Sequence, residues 1–173
     1  VSEIFFWSVS LLILVFVVIY ERKPLSSIGL GKLTWRGVAL GIGAGIVLFF
    51  LFPLLQGVVQ LLGLPLASDK AKLLADMPVW ALFLLALRAG VMEEVLYRGY
   101  PFERLLSLTG SKAVAALVPL LVFVITHLNW GAGHLLFVTM AGGILTLLYL
   151  WKRNLWVNII AHFLVDFITF MLI

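Results

Sequence analysis

Long runs of uncharged apolar residues constrain this chain more than any other feature of its sequence. A helix needs about 20 such residues to cross a bilayer. Six runs meet or approach that length, over residues 4–20, 37–62, 79 to about 100, 113–130, 135–151 and 155–173. The 173 residues are 64% hydrophobic and only 12% charged, which excludes an ordinary soluble domain and a disordered segment. We therefore predict an all-α fold, a polytopic transmembrane helix bundle of about six spans.

Short segments of charge, glycine or proline separate the six runs. They are Glu21-Arg22-Lys23-Pro24, Gly63-Leu64-Pro65, Thr109-Gly110-Ser111, Gly131-Ala132-Gly133 and Lys152-Arg153-Asn154. The first run has no basic segment before it, so we expect no cleaved signal peptide. The simplest organisation is a single membrane domain over 1–173. Two N-terminal helices occupy 1–78, and a motif-bearing core of four spans occupies 79–173.

Basic residues in the loops predict the orientation of this bundle. The first, third and fifth loops hold eight Lys and Arg residues, whereas the second and fourth hold only Lys70 and Lys72. The eight are Arg22, Lys23, Lys32, Arg36, Arg104, Lys112, Lys152 and Arg153. Because basic loops remain in the cytoplasm, we expect the N-terminus outside. The net charge of +4 then reflects topology, and the expected surroundings are a lipid bilayer and no nucleic acid.

A few ionisable side chains lie inside the predicted spans, where each costs about 2.5–3.5 kcal/mol near the bilayer centre. On the third span, Glu94 and Arg98 are spaced i, i+4 and can form an ion pair on one helix face. Glu93 points about 100° away from Glu94 and has no basic residue three or four positions away. We therefore expect Glu93 to face a group from another helix. Arg88 either reaches an interface or pairs internally.

Counting along the chain suggests which groups Glu93 meets. Glu93 lies 17 residues before Gly110 and His127 lies 17 after it, so a helical hairpin turning at Gly110 places both at the same depth, roughly 25 Å from its tip. On the sixth span, Asn158, His162 and Asp166 are spaced i, i+4, i+8 and form one polar stripe. If the tip of this hairpin projects beyond the membrane into the cytoplasm, His162 lies at the same depth in the bilayer as Glu93 and His127. The spacing thus predicts a site nearer the cytoplasmic side.

Each of these residues alone has an ordinary structural explanation. The Glu94–Arg98 pair is compensated, and His127, Asn158 and His162 are polar groups of the kind that join membrane helices. His134 follows a Gly-Ala-Gly segment near the outer interface, which favours an interfacial position. Two imidazoles and two carboxylates at compatible depth nevertheless favour an intramembrane site.

Three chemistries are open to such a site. A carboxylate and a histidine can activate water while a second imidazole or an amide stabilises an oxyanion. Alternatively, Glu93, His127 and His162 can bind Zn²⁺ with a fourth position open for water, although the chain has no HExxH motif. The same residues can relay protons or ions in a transporter, which the small chain without inverted halves disfavours. With no cysteine, thiol nucleophiles, disulfides and thiolate metal sites are excluded.

The order of three motifs resembles a known family. Glu93-Glu94-x-x-x-Arg98, Phe123-x-x-x-His127 and His162-x-x-x-Asp166 are similar to the signature of CPBP intramembrane proteases. These are relatives of CAAX prenyl protease 2 that include bacteriocin-immunity and abortive-infection proteins. The resemblance covers roughly residues 79–173, and the first two spans carry no motif.

The resemblance implies roles for the matching residues. Glu93 is the general base that activates water, His127 holds that water, and His162 with Asp166 stabilises the oxyanion. Glu94 and Arg98 support the helix, with Asn158 nearby. Members were long called metalloproteases, but a glutamate mechanism without a required cofactor is better supported, and zinc is the alternative. The prenyl proteases have Asn where this chain has Asp166, and an ionised Asp cannot donate to an oxyanion.

Asp166 must therefore be protonated, orient His162 or help to bind a metal. We expect an integral protein of a bacterial plasma membrane, with its site open toward the cytoplasm as the loop charges and the depth count predict. Its partner is a protein or peptide substrate, membrane-anchored or not. The main rival is a non-proteolytic membrane immunity or scaffold protein of the same fold, and a transporter comes third.

Overall fold

The computed structural model describes residues 3–65 and 68–172. These residues form helices and connecting segments and contain no β-strand, which confirms the all-helical class for that part of the chain. The α-helices are α1 (Glu3–Val15), α2 (Trp35–Leu61), α3 (Ser68–Ala75), α4 (Val79–Arg88), α5 (Tyr100–Thr109), α6 (Lys112–Ile125), α7 (Ala132–Lys152) and α8 (Leu155–Met171). Short π or 3₁₀ turns lie at Phe16–Tyr20, Leu25–Ile28, Ala89–Glu93, Val95–Gly99 and Leu128–Trp130.

The helices follow most of the predicted apolar runs, but the third run, 79 to about 100, consists of α4 and two π turns, and there are two further differences. The sequence analysis did not predict α3, which is short and too polar to stand out as a span. The fourth run was predicted to continue to residue 130, whereas α6 ends at Ile125. There, the hydroxyl of Thr126 and the ring of His127 both hydrogen-bond to the carbonyl oxygen of Phe123. In a continued α-helix this oxygen would accept from the backbone N–H four residues later, so the two side chains compete with the helical hydrogen bond.

Two helices, α2 and α7, are long and apolar enough to cross a membrane. Three further apolar segments are shorter, namely Ile4–Tyr20, Lys112–Ile125 and Leu155–Met171. The described side chains show the pattern expected of a bundle surrounded by lipid. Large apolar residues such as Trp35 and Leu61 are exposed, while Glu94, Arg98 and Asn158 are buried. A water-soluble protein has the opposite arrangement.

Helix α2 packs closely against α8 through a row of glycines. A Cβ added at Gly41 would lie 2.8 Å from the Cβ of Ile160, and one added at Gly45 would lie 3.0 Å from the Cβ of Leu164. Such small residues allow two membrane helices to approach at backbone distance, where dispersion and polar contacts hold them together. The glycines of α2 therefore fix the position of α8, which carries His162.

A loop over residues 21–34, which we call the strap, ties α1 to the end of the bundle that carries the α5–α6 and α7–α8 turns. The carbonyl oxygen of Gly29 accepts from the backbone N–H of Leu155 at 2.9 Å. The Nε of Arg104 donates to both carboxylate oxygens of Glu21, at 2.8 and 2.9 Å. This hydrogen-bonded guanidinium lowers the pKa of Glu21, so the strap is held partly by charge.

Candidate active site

The helical segment that begins with α4 is irregular where its ionisable residues lie. Two five-residue π turns, Ala89–Glu93 and Val95–Gly99, separate α4 from α5, and π turns recur at functional sites. Gly90 allows the first turn to lie directly against α8, because an added Cβ would come within 3.0 Å of the carbonyl oxygen of Ile159. The segment therefore presents Glu93 and Glu94 at very short range to α8.

The predicted ion pair between Glu94 and Arg98 is confirmed. The Nη1 of Arg98 lies 2.9 Å from the Oε1 of Glu94, and both side chains are buried, with 1% and 0% of their surface exposed. Arg98 also donates through Nη2 to the carbonyl oxygen of Gly142 at 3.2 Å, and its guanidinium lies 4.6 Å from the centroid of the Phe123 ring. Arg98 therefore connects α6 and α7 to the carboxylate of Glu94.

Glu94 does more than pair with Arg98. Its Oε1 also receives a 2.8 Å hydrogen bond from the Nδ1 of His162, and its Oε2 receives one from the Nδ2 of Asn158 at 3.1 Å. Asn158 in turn donates to the carbonyl oxygen of Leu145 at 2.7 Å. Because the ionised carboxylate only accepts, the Nδ1 of His162 carries a proton. Glu94 thus fixes the orientation of the His162 ring.

The other nitrogen of His162 faces two further carboxylates. Its Nε2 lies 3.4 Å from the Oδ2 of Asp166, one turn later on α8, and 3.9 Å from the Oε2 of Glu93. The structure therefore brings Glu93, His162 and Asp166 together, as the polar stripe on α8 and the depth argument anticipated.

Glu93 has a basic neighbour that the sequence analysis missed. Glu93 does face a group from another helix, His162, as expected, but the sequence analysis considered only basic residues three or four positions away, whereas the Nη1 of Arg88, five positions away, lies 3.9 Å from the Oε1 of Glu93. The π turn at Ala89–Glu93 explains the error, since it aligns residues five apart, whereas the sequence argument assumed α-helical spacing. Arg88 thus makes an internal contact, which settles the alternatives left open for it.

His127 lies at the end of α6 with one ring nitrogen committed. Its Nδ1 lies 2.8 Å from the carbonyl oxygen of Phe123, and a carbonyl oxygen only accepts, so Nδ1 carries the proton and Nε2 is an acceptor in the neutral ring. His127 lies within electrostatic range of Glu93. His134 stacks on Trp130 with ring centroids 4.5 Å apart, and its ring lies 6.0 Å from that of His127.

The residues considered as zinc ligands do not form a ready ligand set. Among residues 3–65 and 68–172, no three His, Cys, Asp or Glu side chains lie close enough together to hold one metal ion. Glu93 and His162 are adjacent, with the Oε2 of Glu93 3.9 Å from the Nε2 of His162, but His127 does not join them in one group of possible ligands. The arrangement instead offers a partly exposed carboxylate beside two imidazoles, which is suited to proton transfer with water.

Comparisons with known proteins identify one related family. A family model described as Rce1-like, type II CAAX prenyl endopeptidase Rce1-like, matches residues 75–168. This range includes Glu93, Glu94, Arg98, His127, His162 and Asp166. No curated protein and no solved structure matches the chain.

Proposed function

The chain belongs to the Rce1-like family of type II CAAX prenyl endopeptidases, and from this premise we propose that it is an intramembrane endopeptidase that uses Glu93 to activate water. The family is membrane-embedded and its members are proteases. We extend this to a six-span protein of a bacterial plasma membrane whose site opens toward the cytoplasm.

One observation carries the mechanistic part of the proposal. The Glu93 carboxylate, 18% exposed, faces the Nε2 of His162 at 3.9 Å, while the neighbouring Glu94 is buried and already holds three donors. Only the first of the two adjacent carboxylates can therefore accept a proton from an incoming water without breaking the network. This difference in exposure and hydrogen bonding supports Glu93 as the base and Glu94 as a positioning residue.

In the proposed reaction, Glu93 and His127 hold one water between them. One hydrogen of the water bonds to the Glu93 carboxylate and the other to the Nε2 of His127, which is an acceptor because Nδ1 donates to Phe123. Glu93 takes the proton as the water oxygen adds to the scissile carbonyl carbon. When the carbon–nitrogen bond breaks, the same proton passes to the leaving amine, so Glu93 returns to its ionised form.

The negative charge on the former carbonyl oxygen needs a donor, which we assign to the Nε2 of His162. Because Nδ1 is committed to Glu94, Nε2 donates only when the ring is doubly protonated and cationic. A fixed imidazolium stabilises a developing oxyanion more strongly than a neutral donor does. Asp166, at 3.4 Å from Nε2, orients this nitrogen, which favours one of the three roles considered for it.

We expect the substrate to be a protein or peptide held at the membrane. The family name points to C-terminal CAAX segments that carry a prenyl group, and the proposal extends this to peptides anchored by other means. The mechanism requires no metal. Zinc chemistry remains the alternative and is tested by chelation.

The deciding experiment compares Glu93→Gln with a matched control, Glu21→Gln, in purified protein reconstituted into vesicles. The probes are a prenylated CAAX peptide and the same peptide without its prenyl group. Glutamine keeps the size and hydrogen bonding of Glu93 but removes the base, so we expect a loss of about 10²–10⁴-fold in cleavage, while a cooperative thermal unfolding transition shows that the fold is retained. Glu21→Gln alters a carboxylate of similar exposure, 15%, in the strap and should cleave normally.

Each other outcome has a definite meaning. Full cleavage by Glu93→Gln would refute the proposed base. Loss of wild-type cleavage on metal chelation would favour zinc. If wild-type protein cleaves neither peptide but a cellular phenotype persists in Glu93→Gln, the scaffold or immunity function is correct. A phenotype that requires Glu93 and a membrane proton gradient would favour transport.

A further inference from the structure

We propose that Arg88 is a positioning residue for the reaction: it holds the Glu93 carboxylate so that one oxygen faces the guanidinium and the other faces the water and His162. This inference rests on the proposed function of Glu93. It concerns a residue outside the three sequence motifs, brought to the site by the irregular geometry of its helix.

The backbone gives the first argument. Arg88 is the last residue of α4, and Ala89–Glu93 forms a π turn. In a regular α-helix, residues five apart point about 140° from each other, which would turn Arg88 away from Glu93. The π turn brings the two side chains onto one face, and their contact joins the Nη1 of Arg88 to the Oε1 of Glu93 at 3.9 Å.

The surroundings of Arg88 give the second argument. Only 14% of its side chain is exposed, and its guanidinium lies 4.9 Å from the centroid of the Phe6 ring on α1. An arginine packed over an aromatic face loses much of its rotational freedom. The contact with Phe6 on α1 therefore restrains the guanidinium that lies beside Glu93.

The charges around Glu93 give the third argument. Three acidic residues lie in the site, Glu93, Glu94 and Asp166. Two arginines lie beside them, Arg88 and Arg98, and Arg98 pairs with Glu94 and donates to the carbonyl oxygen of Gly142. Arg88 is the arginine that contacts Glu93. From α8, the Nε2 of His162 lies 3.9 Å from the Oε2 of Glu93 and 3.4 Å from the Oδ2 of Asp166, and Asp166 and His127 also interact electrostatically with Glu93.

The contacts separate the two oxygens of Glu93 by role. Oε1 is turned toward Arg88 and Oε2 toward the Nε2 of His162. Without Arg88 the carboxylate can rotate and water can be held in unproductive positions. Because the substrate's own contacts are unaffected, the loss is expected in kcat while KM stays within about twofold.

The test compares Arg88→Met, Arg88→Lys and a matched control, Arg104→Met, on the reconstituted enzyme with the peptide that wild-type protein cleaves. Arg104 is a comparable residue, 15% exposed and paired with Glu21, but it lies in the strap contact away from the site. We expect Arg88→Met to lose at least tenfold in kcat. Arg88→Lys should retain most of the wild-type kcat. The contact joins one nitrogen of Arg88 to one oxygen of Glu93 at 3.9 Å, so it requires a positive charge but not the two-pronged geometry of a guanidinium. Arg104→Met should keep kcat.

Unfolding midpoints in detergent supply a readout that does not depend on cleavage. Arg88→Met leaves the Glu93 charge without its arginine, so we expect a drop of several degrees in the wild-type background and a much smaller drop in the Glu93→Gln background. Equal drops in both backgrounds, a raised KM with unchanged kcat, or no recovery by lysine would each overturn the role assigned to Arg88. A wild-type protein without any cleavage would defeat the proposed function, and the paired midpoints would still decide whether Arg88 holds Glu93.

Discussion

Two adjacent glutamates in this chain have different surroundings because their side chains leave the helix in different directions. Glu94 points into the bundle, where Arg98, His162 and Asn158 each donate to it. A buried carboxylate with three donors is stable only while all three remain. Glu93 keeps 18% of its side chain exposed and has the freedom to exchange a proton with water. The candidate site thus joins a buried, hydrogen-bonded charge network to one partly exposed carboxylate.

Asp166 offers a test of the role assigned to His162. In Asp166→Asn the amide can still bond to Nε2 of His162 or donate to an oxyanion, whereas Asp166→Leu can do neither. We therefore expect Asp166→Asn to retain kcat within about threefold and Asp166→Leu to lose at least about tenfold. Cleavage assays on both variants check this, with the exposed Asp76→Asn as a control. Asp166→Asn being as inactive as Asp166→Leu would mean that the negative charge itself is required.

The side-chain contacts of the site differ in how far the sequence could predict them. Glu94 and Arg98 could be paired from their spacing alone, because both lie on one helix four residues apart. The contact from Glu94 to His162 joins positions 68 apart in sequence. From a single sequence one can count how far along its helix each residue lies, but not how two helices are rotated relative to each other, so this contact could not be predicted. The contact between Arg88 and Glu93 was missed for a different reason, since no local pattern marked the π turn that creates it.

At the scale of elements, the packing of α2 against α8 depends on glycines at particular positions. We expect Gly45→Ala to destabilise the protein by about 1–3 kcal/mol, because the new Cβ would lie 3.0 Å from the Cβ of Leu164 and 3.1 Å from the carbonyl oxygen of Ala161. At Gly43 nothing lies within 4 Å of an added Cβ, so Gly43→Ala should be neutral or stabilising by up to about 1 kcal/mol. Thermal unfolding in detergent measures both.

The sequence predicted the existence of these helices better than their ends. Apolar length alone marks a segment as helical in a bilayer, so the runs containing α1, α2, α7 and α8 were found. The end of α6 depends on the side chains of Thr126 and His127 competing for one carbonyl, and α3 is too short and polar to be found by the same criterion.

The two glycine variants also define the result that would contradict the packing argument. If Gly43→Ala destabilised the protein as much as Gly45→Ala, the proposed basis for α2–α8 packing would be wrong.

The strap is an element whose stability should depend on pH. Glu21 follows the apolar part of the first helix, and the Arg104 guanidinium that donates to it lowers its pKa below the ordinary value of 4.5. A lowered folded-state pKa stabilises the fold above the ordinary pKa, and this contribution is lost as pH falls through the folded-state value. We expect wild-type protein to unfold at a higher temperature than Glu21→Gln at pH 7 and at pH 5.

The difference between wild type and Glu21→Gln should then shrink progressively below the ordinary carboxyl pKa. Unfolding midpoints measured across this range check the direction. In an Arg104→Met background the cause of the lowered pKa is removed, so the two proteins should differ little at any pH. A difference that instead grew as the pH fell would contradict the assigned partner.

At the scale of the whole molecule, the orientation in the membrane decides which compartment supplies water and substrate to the site. The chain contains no cysteine, so single cysteines can report on each side without background. Leu108 is 81% exposed near the α5–α6 turn, in the predicted cytoplasmic set of basic loops, and Asn129 is exposed in the loop after α6. A membrane-impermeant maleimide should label Asn129→Cys in intact cells and Leu108→Cys only after permeabilisation.

Basic residues next to the α5–α6 and α7–α8 turns predict that this end of the bundle lies in the cytoplasm. Glu93 precedes α5 and His127 follows α6, so both lie further into the bundle than the α5–α6 turn. Labelling in the opposite order would place the site's opening on the other side. It would leave the proposed hydrolysis intact but exclude cytoplasmic C-terminal segments as substrates. Labelling of both cysteines from one side would contradict a membrane crossing by α6 and the six-span arrangement with it.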